Sequence, residues 1–223
     1  MSTATLTAEE IEFELKAEKT RSRFGMIIFL ASEAMLFAGL IGGYIVLRWM
    51  APEWPPEGKY SYMFHWPMSV INVLMLVNTA ILIGSSFAFH FAEVAIKAGK
   101  NPAKWLLLTI VMGMVFLSGQ AYEWYYLIVD QNVLFQDGIY GATFFALTGF
   151  HGAHVIIGVL LLIWTFFGVL SGKFTKERHL FFDNAGLYWH FVDIVWVGLF
   201  ALLYFDLVGK VFMPVGRAIW GLF

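Results

Sequence analysis

The chain has 223 residues, 60% of them hydrophobic and only 13% charged, and its mean hydropathy is +0.72. Soluble domains carry about 25% charged residues, so this composition excludes a water-soluble globular protein and predicts an integral membrane protein. A net charge of −2 gives no sign of a nucleic-acid partner, and the lack of cysteine excludes a disulfide framework, a thiolate metal site and a redox thiol.

Residues 1–23 contain no apolar core and do not read as a signal peptide. Thr7-Ala8-Glu9-Glu10 has capping-box spacing, and Leu6 and Ile11 stand where a hydrophobic staple would. A short cytoplasmic surface helix is predicted here. Its five glutamates between Glu9 and Glu18 read as a solvated face, with a docking contact for a neighbouring subunit as the sharper alternative.

A bilayer core of about 30 Å needs roughly 20 apolar residues per helix. Five windows qualify: residues 24–49, 68–90, 105–129, 142–170 and 187–208, followed by an external tail over 209–223. All six prolines fall between or beyond these windows. The predicted fold is therefore an all-α bundle of five transmembrane helices. No internal repeat is evident, which counts against a secondary transporter built from inverted halves. Ten lysines and arginines fall before the first span or in the second and fourth connections, against four on the other side. The positive-inside rule then places the N-terminus in the cytoplasm and the C-terminus outside.

Ionisable groups inside spans are the functional candidates. They are Glu33, Glu123, His151, His154, His190 and Asp193, with Asn72, Asn78 and Gln120 as neutral polar companions. His151 and His154 share a helical face, as do Gln120 and Glu123, and His190 and Asp193. Glu33 lies roughly 14 Å deep from the inner end of its span. His154 lies roughly 12 or roughly 24 Å from the inner face, depending on the end from which the long fourth span is counted. A mid-membrane contact between Glu33 and His154 is thus permitted. The plain reading of all these groups is interhelical hydrogen bonding, worth about 0.6 kcal/mol each. Proton handling and lipid-headgroup binding are the alternatives.

Redox sites fit poorly. The chain has six histidines, and His65 and His179 fall in connections, so too few remain for the centres of a haem-copper catalytic subunit. His151 and His154 are only about 4.5 Å apart along the axis, unlike the ligands of two stacked haems. A zinc site from His151, His154 and His190 would need His190 at a deeper level than its place near the start of the fifth span gives. A retinal protein needs an intramembrane lysine, and none is present. No metal and no redox cofactor is expected in this chain. Gly39 and Gly43, with Gly149, Gly152 and Gly158, read as close-packing positions.

Four stretches taken together resemble subunit III of the haem-copper terminal oxidases, the cytochrome c and quinol oxidases. They are Ser32-Glu33-Ala34-Met35-Leu36-Phe37; Gln120-Ala121-Tyr122-Glu123-Trp124-Tyr125 with Asp137-Gly138-Ile139-Tyr140-Gly141-Ala142-Thr143-Phe144-Phe145; Thr148-Gly149-Phe150-His151-Gly152-Ala153-His154-Val155; and Tyr188-Trp189-His190-Phe191-Val192-Asp193-Ile194-Val195-Trp196. The resemblance implies a subunit without a redox centre, part of a complex that reduces O₂ to water and pumps protons. It implies direct packing on subunit I, which would hold haem and copper, neighbouring subunit II, and bound phospholipid. Glu33, His151 and His154 would line an interior polar cluster, completed by Glu123, His190 and Asp193. No catalytic, metal-binding or lipid-binding residue is assigned. Longer members have seven spans and a lipid-filled cleft; five spans resemble a shorter bacterial form in the cytoplasmic membrane. An accessory protein of a nitric oxide reductase, or a stand-alone small transporter, remain the competing readings.

Overall fold

A computed structural model of the chain describes residues 7–51, 54, 70–136, 138–206 and 208–209, leaving aside the side chains of 8–12 and 15. Lys59, His65, Asp137 and the expected external tail beyond Gly209 lie outside the described residues, as does the staple position Leu6. Five long helices account for nearly all of the described chain: α1 (Ala8–Met50), α2 (Val70–Lys97), α3 (Ala103–Tyr125), α4 (Ile139–Leu170) and α5 (Leu180–Tyr204). All five contain stretches long and apolar enough to cross a membrane, and no strand occurs among the described residues. The all-helical membrane fold expected from composition is the fold observed.

α1 begins at Ala8, directly after the predicted cap Thr7, and runs unbroken to Met50. The expected short surface helix is therefore not a separate element but the first turns of α1. No proline interrupts residues 8–50, and Gly25, where the polar first turns meet the apolar span, costs too little by itself to end a helix. Other helices likewise extend beyond their apolar windows. α2 continues to Lys97 and α5 starts at Leu180, seven residues ahead of the window, with Asp183 in its first turn where the helix dipole favours an anion. α5 stops earlier than expected, because Asp206 has a positive φ of 48°. α3 ends in a π-helical turn, Tyr126–Asp130.

α2 and α4 end by the same device. Gly99 (φ 71°) and Gly172 (φ 69°) occupy left-handed positions that favour glycine. In each, paired bonds close the helix: Lys100 N donates to Ala95 O at 2.8 Å and Gly99 N to Ile96 O at 2.9 Å, while Lys173 N donates to Gly168 O at 3.0 Å and Gly172 N to Val169 O at 3.1 Å. This Schellman pattern satisfies carbonyls that would otherwise be left bare.

α2, α3, α4 and α5 pack around a common core, with α1 laid against α4 and α5 from outside. Trp189 and Trp196 of α5 are fully buried at its centre. Their indole N–H groups donate to α2 hydroxyls, Trp189 to Ser85 at 3.0 Å and Trp196 to Thr79 at 3.1 Å. The glycines divide by position. Gly149 and Gly158 are close approaches, since a Cβ there would meet Trp124 at 3.2 Å and Trp189 at 2.9 Å. Gly39, Gly43 and Gly152 are not, because a Cβ there meets nothing within 4 Å. The packing expected of Gly39 and Gly43 fails because α1 is peripheral. Both instead line an apolar groove of about 600 Å³ between α1 and α4, opposite Ala142 and Ala146.

Candidate functional site: the intramembrane polar groups

Glu33 sits on the face of α1 that meets α4. Its Oε2 is 2.9 Å from Nε2 of His154. The other ring nitrogen, Nδ1, is 2.7 Å from the carbonyl oxygen of Phe150, one turn earlier on α4. A carbonyl only accepts, so Nδ1 carries hydrogen. Nε2 then either accepts from a protonated Glu33 or donates to an ionised one. In both forms the pair holds one proton between its two partners and is neutral overall. That neutrality is what makes such a pair tolerable at membrane depth. The ring of Phe37 lies 4.9 Å from that of His154, and Tyr188 of α5 donates to the His154 carbonyl at 3.2 Å.

The other candidates do not join this pair. Glu123 of α3 is buried and receives Gln120 Nε2 at 2.7 Å on Oε2. Tyr204 OH lies 2.8 Å from its Oε1 and 2.6 Å from its Oε2. His190 and Asp193 converge on Ser86 of α2, whose Oγ is 3.0 Å from His190 Nδ1 and donates to Asp193 Oδ2 in a short bond. His151 is fully buried and separate from His154, with Phe37 in contact with both rings. It stacks on Trp196 at 4.8 Å and meets Phe116 edge to face at 6.0 Å. The six residues thus occupy four places. The shared-face pairs on α3 and α5 do act together, whereas His151 and His154 face different neighbours.

Several polar partners were not singled out from the sequence. Ser86 and Tyr204 complete two of the groups, yet lone hydroxyls in apolar helices give no pattern to find. Arg48, near the C-terminal end of α1, forms a buried two-pronged ion pair with Asp206: Nε donates to Oδ1 at 3.2 Å and the guanidinium to Oδ2 at 3.0 Å. Trp54 covers that guanidinium at 5.2 Å. Among the described residues no group of three His, Cys, Asp or Glu side chains could hold a metal ion.

Comparisons with known proteins identify the family. The sequence model of the family described as cytochrome c oxidase subunit III matches residues 13–207. Cytochrome c oxidase subunit 3 of Thermostichus vulcanus is 40% identical over 187 residues, covering 81% of this chain and 85% of that protein. A probable cytochrome c oxidase subunit 3 of Nocardia farcinica is 39% identical, covering 81% and 86%. The Bos taurus subunit 3 is 37% identical, covering 82% of this chain and 68% of its own length. With its five membrane-crossing helices, the chain belongs to the cytochrome c oxidase subunit III family and is a subunit of a multi-subunit terminal oxidase of the respiratory chain.

Proposed function

We propose that this chain is the non-catalytic third subunit of a proton-pumping haem-copper oxidase in a bacterial cytoplasmic membrane. It packs on subunit I, which holds the haem and copper, and supports proton uptake there while lending stability to the catalytic subunit. The relatives are named for cytochrome c, which supports cytochrome c as the electron donor rather than quinol. The observation that carries the proton-handling role is the contact of 2.9 Å between Glu33 and His154. A carboxyl and an imidazole sharing one proton can pass it between them by a small shift along one hydrogen bond, and net uptake or release then requires exchange with water or a neighbouring subunit's group at the pair. Their side chains are 21% and 12% exposed, so the pair is not sealed inside the bundle.

His151, Glu123, His190 and Asp193 serve mainly to fix helix rotation in this reading, each through a partner on another helix or an aromatic neighbour. Phospholipid acyl chains occupy the apolar groove between α1 and α4. Orientation follows the lysine and arginine asymmetry, N-terminus inside. Purification in mild detergent tests the proposal. Haem and copper co-purifying with this chain in fixed ratio is the expected result. A colourless, monodisperse single-chain protein would instead favour a stand-alone transporter, and co-purification with a nitric oxide reductase would move the chain to another enzyme.

A further inference from the structure

We propose that His151 and Gln120 hold an ordered water molecule between them, joining the mid-membrane histidine to the buried Glu123–Tyr204 group. Neither ring nitrogen of His151 has a hydrogen-bond partner among the described residues, although the side chain is fully buried. Gln120, 5% exposed, spends its Nε2 on Glu123, and its Oε1 is likewise unpartnered. A neutral imidazole offers one N–H and one bare nitrogen, and an amide oxygen accepts only. The two groups therefore need complementary things that a water supplies.

The helices place them together. α3 and α4 are antiparallel neighbours with two cross-contacts on this seam, Phe116 to His151 and Trp124 to Thr148. Gln120 lies one turn from each of the two α3 residues, buried like Phe116, with Trp124 half-buried beyond it. Its level on α4 therefore falls between Thr148 and His151. The rest of the cage is aromatic: Phe37, Phe116 and Trp196 surround the imidazole. The indole N–H of Trp196 is already committed to Thr79, so it gives His151 only its face. The water accepts from the ring N–H and donates to Gln120 Oε1. A continuous string then runs from His151 through water and Gln120 to Glu123 and Tyr204. Buried waters of this kind are held by otherwise unsatisfied polar groups. The string is separate from the Glu33–His154 pair and stands whether or not that pair handles protons.

A density map of the whole oxidase complex at about 2 Å resolution tests the site, a water peak within hydrogen-bond reach of both side chains being expected. Melting of the assembled complex tests it independently. His151→Phe and Gln120→Leu should each lower the transition, and the double variant should lower it no further than the worse single change, because both remove the same water. Absence of a peak in a map that resolves other buried waters would overturn the proposal. So would a His151→Phe complex as stable as the parent, or a double variant that loses the full sum of two measurable single losses. Either result would mean the N–H rests on the Phe116 face alone.

Discussion

Glu33 and His154, 121 residues apart, meet at 2.9 Å across the α1–α4 seam, with the second histidine nitrogen fixed by the Phe150 carbonyl. One proton is therefore shared within a neutral unit, and taking away either member strands the other. Glu33→Leu alone or His154→Phe alone should cost about 1 kcal/mol, because the partner left behind is only part-buried. The double variant should cost less than the sum of the two. Melting temperatures of the four assembled complexes check this coupling.

Arg48 and Asp206 tie the end of α1 to the end of α5, and the pair is buried. Arg48→Met should destabilise the subunit by about 3–5 kcal/mol, because Asp206 is left as an uncompensated charge. Arg48→Met combined with Asp206→Leu should recover most of that loss. Denaturation of the four forms in the same detergent compares them directly. A double variant as unstable as Arg48→Met would show that the aspartate anchors the chain by another route, such as its bond from Gly209 N at 3.1 Å.

Tyr204 supplies the hydroxyl that faces both carboxyl oxygens of Glu123. Tyr204→Phe keeps the ring and its packing on Phe200 while removing that donor, for an expected loss of about 1–3 kcal/mol. Hydrogen exchange at the C-terminal ends of α3 and α5 should rise in this variant, with α1 unaffected.

The two kinds of glycine give a contrasting pair. Gly158→Val would drive its side chain into Trp189 and should cost about 1–3 kcal/mol or more through overpacking. Gly43→Val faces the open groove and should leave the isolated subunit within about 0.5 kcal/mol of the parent. Expression yield and melting of the two variants, side by side, read out the difference.

The helices and their number were legible in the sequence because hydrocarbon leaves an apolar helix little freedom: window length and proline placement mark each span. The i, i+3 rule likewise anticipated Gln120 with Glu123, and His190 with Asp193 on one face. It could not tell His151 from His154. Three residues on a helix turn the side chain by about 60° from strict alignment, enough for one ring to reach Glu33 and the other to enter the Phe116–Trp196 cage. Partners supplied by distant helices stayed hidden for the same reason. Nothing local to Arg48 announces Asp206, and nothing local to Glu123 announces Tyr204. The peripheral place of α1 was hidden as well, since Gly39 and Gly43 have the spacing of a packing motif whether or not a helix covers them.

Oxygen consumption and proton uptake, recorded together on a fully assembled Glu33→Gln complex, bear most directly on the role of this chain. The expected result is oxygen reduction that persists, with proton uptake slowed or the enzyme inactivating sooner during turnover. Complete loss of oxygen reduction in a complex with full haem content would contradict a non-catalytic subunit, and unchanged uptake and lifetime would remove the Glu33–His154 pair from proton handling.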